Sequence, residues 1–267
     1  MLLIALKLTN KLELINMEKE FIDFVKLLAE ESGKIIKEYF RKPISIDTKS
    51  DESPVTIADK KAEETMRSLI MKTYPEHGII GEEFGSDNED AQYKWILDPI
   101  DGTKSFICGA LTFGTLIALT KNNQPILGVF HQPILNELLI GNNYATEING
   151  IKTQMRYCEK IEDAVLLTTD HLNVHKYQNG KKFEDLIRKV KLYRNWGDCY
   201  GYYLLATGFA DIMLDPIMSR WDLTALIPII NGAGGKITDF KGNDAIFGTS
   251  ILASSKNIHS SLIDMLN

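Results

Sequence analysis

Cysteine is scarce: Cys108, Cys158 and Cys199 stand far apart, with no Cys-x-x-Cys among them. That excludes a disulfide framework and fits a reducing, cytoplasmic compartment. No apolar run approaches the roughly 18–20 residues of a membrane span. Positive charge is outnumbered, 30 Lys and Arg against 36 Asp and Glu, for a net charge of −6. Nucleic-acid backbones demand a basic face, so neither nucleic acid nor a membrane is expected as a partner. The five histidines and three cysteines show no zinc spacing. Gly232-Ala-Gly234-Gly235 lacks the Lys-Ser/Thr of a P-loop and reads as a helix end turning into a strand at Lys236 to Thr238. Met1 to Ile15 is apolar but short, broken by Lys7 and Lys11, without the basic start or cleavage site of a signal peptide.

What remains is an ordinary globular balance, 44% hydrophobic and 25% charged over 267 residues, enough for one large domain or two intimately packed halves. We divide it into an N-terminal extension, 1–16, and a single domain, 17–267, with a soft boundary near 149–163. From Glu18 to Phe40 the apolar positions Phe21, Val25, Leu28, Ile35, Ile36 and Tyr39 predict one face of a helix closed by Pro43. Thr56, with Asp59 three residues on, predicts a capping-box start for a second helix stopped by Pro75. Short apolar runs follow at Gly78 to Ile80, Lys94 to Leu97, Gly114 to Leu119, Ile126 to Phe130 and Leu135 to Ile140. Turn signals sit between them at Lys121 to Gln124 and at Asn149-Gly150. Beyond these, strands are expected at Ala164 to Thr168, Lys191 to Trp196 and Ala210 to Leu214. Helices are expected at Phe183 to Val190, Tyr200 to Thr207, Leu223 to Ile230 and Ile258 to Leu266. Helices and strands interleave, so the class is mixed α and β with layered packing.

Three acidic clusters end apolar runs or open a helix: Gly81-Glu82-Glu83, Asp98-Pro-Ile-Asp101-Gly, and Trp221-Asp222. Each has a structural explanation alone, as a turn, a helix cap or a solvated pair. Together they do not. If Glu82, Asp98, Asp101 and Asp222 converge, each close pair costs about 4 kcal/mol at 4 Å and an effective dielectric near 20. A cation would have to compensate, and an all-oxygen set favours Mg²⁺, Mn²⁺ or Ca²⁺ over zinc.

Asp98-Pro-Ile-Asp-Gly-Thr103, preceded by Gly81-Glu-Glu and followed by Trp221-Asp222, resembles the inositol monophosphatase family. Lys49 and Ser53-Pro-Val-Thr-Ile-Ala-Asp59 supply the family's remaining landmark, over roughly Lys49 to Ser255. The resemblance implies an α+β fold of the layered αβαβα sugar-phosphatase kind and Mg²⁺-dependent hydrolysis of phosphate monoesters. It implies Glu82, Asp98, the Ile100 backbone carbonyl, Asp101 and Asp222 as ligands of about two or three Mg²⁺ ions, with Mn²⁺ as a substitute. Thr103, with Asp59 and Glu82, resembles the set that orients and deprotonates the attacking water. Gly102 and Thr103 would offer backbone N–H groups to the phosphate. No covalent phosphoenzyme is implied, which leaves the cysteines as bystanders. A homodimer and a displaceable, lithium-sensitive metal position are implied as well.

Within the family, His77-Gly-Ile-Ile-Gly-Glu-Glu-Phe84, Lys104-Ser105-Phe106 and above all Trp196-Gly197-Asp198-Cys199-Tyr200 look like the histidinol-phosphate phosphatase branch. Inositol-type members usually carry a small polar residue where this chain has Asp198. A carboxylate near the leaving group favours the ammonium of histidinol phosphate over a neutral polyol. Asp198 could instead cap the helix Cys199 to Thr207, or do both. Lys104 could touch substrate or lie on a helix surface, and Trp196 with Tyr200, Tyr202 and Tyr203 reads as packing. The expected activity is hydrolysis of L-histidinol phosphate in histidine biosynthesis. The alternatives are inositol 1-phosphate or another small phosphate ester and, from a different class, a non-catalytic metal-binding interaction protein.

Overall fold

The computed structural model describes residues 2–43, 46–48 and 54–267; Lys49 and Ser53 lie outside them. Helix α1 (Leu2–Tyr39) starts earlier than the expected Glu18 and takes in residues 2–16 of the extension. Strands β1 (Ile46–Thr48) and β2 (Pro54–Thr56) pair antiparallel ahead of α2 (Ile57–Thr73). Then come β3 (Gly78–Gly81), β4 (Gly85–Asp87), β5 (Tyr93–Asp101), the short α3 (Thr103–Ile107), β6 (Gly114–Lys121), β7 (Gln124–Gln132), β8 (Glu137–Gly141), β9 (Thr146–Ile148) and β10 (Ile151–Thr153). Eight of these strands form one sheet in the order β10-β9-β8-β7-β6-β5-β3-β4, with only β3 and β5 parallel among its neighbours. The expected turns hold: Asn122 and Asn123 have φ of 50° and 64°, and Asn149 and Gly150 have 49° and 78°. Asn and Gly are the residues that reach this left-handed region at least cost.

The second half runs β11 (Val165–Thr168), α4 (His171–Tyr177), α5 (Gly180–Ile187), β12 (Leu192–Arg194), α6 (Asp198–Ala206), β13 (Ile212–Asp215), α7 (Arg220–Thr224), α8 (Leu226–Gly232), β14 (Gly235–Thr238), β15 (Ile251–Ser255) and α9 (Lys256–Leu266). Its five strands are ordered β12-β11-β13-β15-β14. The single helix expected over Leu223 to Ile230 is two, and Pro228 supplies the reason. Its missing N–H cannot bond the Thr224 carbonyl, so α7 ends there, and Pro228 sits in the first turn of α8, where no donor is needed.

Period-two alternation along β5 assigns the layers. Trp95 and Leu97 face one way, onto Phe24, Val25 and Leu28 of α1 and Met66 and Ile70 of α2. Ile96 faces the other way, toward Tyr202 and Leu205 of α6 and Ile229 and Ile230 of α8, with Met213 and Ala253 of the second sheet in the same core. The opposite face of that sheet, through Leu166, Ile212, Leu214 and Leu252, packs on Val174, Phe183 and Leu262 of α4, α5 and α9. The layers therefore stack αβαβα. Tyr202 and Tyr203 are buried as expected, whereas Trp196 is 47% exposed and belongs to no core. Among the described residues no helix is long and apolar enough to cross a membrane.

One buried histidine ties α9 to the second sheet. His259 meets Thr238 Oγ1 through Nε2 at 2.9 Å and Ser254 Oγ through Nδ1 at 2.8 Å. Burial, with a smaller contribution from Lys236, lowers its pKa to about 4 from 6.5. Below pH 6.5 the unfolded chain takes up a proton here that the folded chain refuses until about pH 4. Stability contributed above pH 6.5 is thus lost as pH falls toward 4. Urea unfolding should show the wild type losing about 2 kcal/mol more than His259→Gln across that interval. Parallel pH profiles would show that His259 does not titrate on unfolding.

Candidate active site

Asp98 and Asp101 lie three residues apart on one strand, which in regular pleating sends them to opposite faces. The structure brings them together because the β5–β6 register breaks between them. A bulge of this kind re-aims side chains at a strand end. Pro99, with no N–H to give the ladder, sits inside it, and its carbonyl accepts from Thr115 Oγ1 at 2.8 Å. Carboxylate oxygens of Asp98, Asp101 and Asp222 consequently all lie within 4.8 Å of one another. Asp222 comes from α7, where it is the third helical residue of a capping box rather than the cap. Its Oδ2 accepts from the Ser219 N–H at 2.7 Å. Glu82 follows β3, where its N–H donates to the Leu97 carbonyl at 3.1 Å.

The electrostatics match a site built for positive charge. Burial, then Glu82, Asp101 and Asp222, push Asp98 well above the carboxylate range. Burial, then Asp198 and Asp222, do the same to Asp101. Asp222 is pushed up to about 7, mainly by burial. Asp98 Oδ1 is buried and has no hydrogen-bond partner among the described residues. An all-oxygen donor set with mutually raised pKa values and an orphaned buried oxygen fits a hard divalent cation.

Asp59 is likewise a capping-box residue: its Oδ2 accepts from the Thr56 N–H at 2.9 Å and Thr56 Oγ1 at 2.5 Å. Its Oδ1 is buried without a partner among the described residues. Burial raises its pKa, with Glu82 a smaller cause in the same direction. Thr103 Oγ1 donates to the Ile100 carbonyl at 3.0 Å, so its proton is directed there rather than to Asp59. Gly102 has φ of 86°, which turns the chain from β5 into α3.

A cavity of about 430 Å³ opens beside the carboxylates, lined by Glu82, Gly102, Thr103, Lys104, Asp198 and Asp222. Lys104 is exposed on the surface of α3 and also lines this cavity. Asp198 is not a cap. Gly197 holds that position without a side-chain bond, and Asp198 is the first residue of α6, with φ of 50°. Its N–H donates to Thr169 Oγ1 at 2.8 Å, and Ser105 Oγ donates to its Oδ2 at 3.3 Å. Burial, then Asp215, raise its pKa to about 7, while Lys104 and Ser105 lower it. Cys199 is no bystander in its backbone, since its N–H donates to Asp101 Oδ2.

Sequence reasoning missed three participants. Asp215, buried at the end of β13, accepts from Tyr202 Oη at 3.0 Å and the Thr169 N–H at 3.2 Å; an Asp-Pro at a strand end was its only signal. Asp170 caps α4 and lines the cavity. Glu63, fully buried on α2, accepts from the Glu83 N–H at 2.8 Å and the Phe84 N–H at 3.2 Å, which shapes the turn after Glu82. Arg67 pairs with it at 2.8 Å. A Cβ on Gly81 would fall 1.9 Å from Glu63 Oε1, so a larger residue there would displace the Glu63 carboxylate from its bonds. Arg67→Met should cost about 3–5 kcal/mol in urea unfolding, because it leaves the buried Glu63 carboxylate without its cationic partner. A cost under about 1 kcal/mol would contradict that role.

The model of the inositol monophosphatase family matches residues 17–267. The bifunctional phosphatase IMPL2, chloroplastic, of Arabidopsis thaliana is 46% identical over 236 residues, 86% of this chain and 68% of that protein. The histidinol-phosphatase of Chlorobaculum parvum is 37% identical over 232 residues, 86% and 90% of the two chains. The solved structure of an inositol monophosphatase from Zymomonas mobilis superposes with a TM-score of 0.83 at 35% identity, covering 93% of this chain and 98% of that one.

Proposed function

The chain belongs to the inositol monophosphatase family, and on that premise we propose that it hydrolyses L-histidinol phosphate to L-histidinol and phosphate, with Mg²⁺ as its cofactor. That it is a phosphatase of phosphate monoesters follows from the family and the relatives. The metal identity, the substrate and the residue roles are our proposal. The observation that carries the substrate is Asp198, a carboxylate on the cavity wall that caps no helix. The histidinol-phosphatase relative supports it.

In this reading Glu82, Asp98, Asp101, Asp222 and the Ile100 carbonyl hold the metal. Bound Mg²⁺ supplies positive charge to the phosphoryl oxygens and acidifies water for attack near neutral pH. Asp59 and Glu82 accept the proton that the attacking water loses. Thr103, anchored on the Ile100 carbonyl, orients that water. The N–H groups of Gly102, which holds the cap position, and Thr103, the first residue of α3, have no intrahelical acceptor and bind phosphate oxygens. Lys104 adds charge at the cavity mouth. Asp198 pairs with the substrate ammonium. Water oxygen attacks phosphorus, the ester P–O bond breaks, the leaving alkoxide takes a proton from solvent water, and the proton held by the carboxylates returns to solvent, so the balance is net hydrolysis.

The three free cysteines support a reducing, cytoplasmic setting, and we place the enzyme in histidine biosynthesis as a homodimer. Inositol 1-phosphate is the second reading, supported by the Zymomonas mobilis neighbour. Phosphate release from L-histidinol phosphate should require Mg²⁺ and stop on chelation. Release undiminished after exhaustive chelation would sink the metal assignment.

A further inference from the structure

The expectation that the histidines carry no zinc spacing needs one correction, because His171-Leu-Asn-Val-His175 places two of them at the i, i+4 spacing that puts both on one helix face. His171 and His175 are four residues apart on α4, one turn of helix, and both reach Glu184 of α5. His171 Nε2 lies 2.8 Å from Glu184 Oε1, and His175 Nε2 lies 3.3 Å from the same oxygen. One ligand atom from each residue falls within 4.8 Å of the others. From these contacts we propose that His171, His175 and Glu184 form a second metal site, for a borderline divalent cation of the Zn²⁺ class, separate from the aspartate cluster.

Chemistry and geometry both favour that cation. Two imidazole nitrogens and one carboxylate suit zinc and its neighbours, whereas Mg²⁺ prefers oxygen alone. Tetrahedral zinc with bonds of about 2.0–2.2 Å sets its ligand atoms about 3.3 Å apart. The His175–Glu184 pair has that spacing already, and the His171–Glu184 pair needs to open by about 0.5 Å to match it. The outer contacts hold the ligands in place: Tyr193 Oη meets His171 Nδ1 at 2.9 Å, and Arg188 Nη2 holds the other Glu184 oxygen, Oε2, at 3.3 Å. Such outer partners orient ligands and tune affinity. The three side chains are 27–46% exposed, which leaves room for water as a fourth ligand. The site would clamp α4 to α5, and Asp170 and Asn173 at the start of α4 line the catalytic cavity.

The proposal does not depend on the phosphatase reading, and its test removes the aspartate cluster from the measurement. Untagged protein carrying Asp98→Asn and Asp101→Asn is titrated with Zn²⁺ by calorimetry. It should bind one equivalent with a Kd of about 1 μM or tighter. Adding His175→Ala or, separately, Glu184→Gln should weaken that binding by about tenfold or more. Both positions are partly exposed, so both variants should fold. Absence of an equivalent in the cluster-free protein, or an equivalent that survives both further substitutions, overturns the site.

Discussion

Asp98→Asn should reduce kcat/KM for any phosphate ester by about a thousandfold or more while raising the melting temperature of the metal-free protein. The two effects have one cause. Asp98 Oδ1 has no hydrogen-bond partner among the described residues, and burial first, then Glu82, Asp101 and Asp222, push the pKa of Asp98 up. Without a cation the fold carries that repulsion, relieved in part by protonation. A neutral amide of the same shape removes about 2 kcal/mol of it. With a cation the same carboxylate is a ligand, and the amide is a poor substitute. Calorimetric melting in chelator, beside initial rates in Mg²⁺, checks both halves. An inactive variant that is also less stable would mean Asp98 is needed for packing and would remove the electrostatic account. An active variant would remove its metal role.

Asp198→Asn should separate substrates by charge. For a cationic ester the variant should raise KM by about 30-fold or more, the 2 kcal/mol or more lost when one partner of a desolvated charge pair is removed. For a neutral ester such as inositol 1-phosphate the change should stay within about threefold. Ser105 and Thr169 already bond the Asp198 side chain and N–H, so the isosteric amide keeps the local geometry. Equal KM effects on both esters would make Asp198 a structural residue and withdraw the substrate assignment.

The motifs that carry these predictions were legible because each acidic residue follows an apolar run or opens a helix. Their convergence was legible only as a condition. Strand periodicity alone would part Asp98 from Asp101, and the bulge around Pro99 reverses that outcome. Capping boxes at Thr56 and Ser219 commit Oδ2 of Asp59 and Asp222 to a helix start, a local role that the sequence pattern also announces. Other elements were hidden by shortness. Helix α3 has five residues and α4 has seven, too few for a 3.6-residue period to show. Glu63 and Arg67 were invisible as a buried pair because an i, i+4 Glu-Arg on a helix usually marks a solvated face. Asp198 gave two readings in sequence, and only the cap position at Gly197 separates them.

The most direct test of the account is kcat/KM for L-histidinol phosphate and myo-inositol 1-phosphate, measured in parallel with Mg²⁺. A preference for histidinol phosphate of about 30-fold or more, collapsing in Asp198→Asn, is the predicted result. Equal turnover of the two esters, or preference for inositol phosphate, would contradict the assignment of Asp198 and of the substrate.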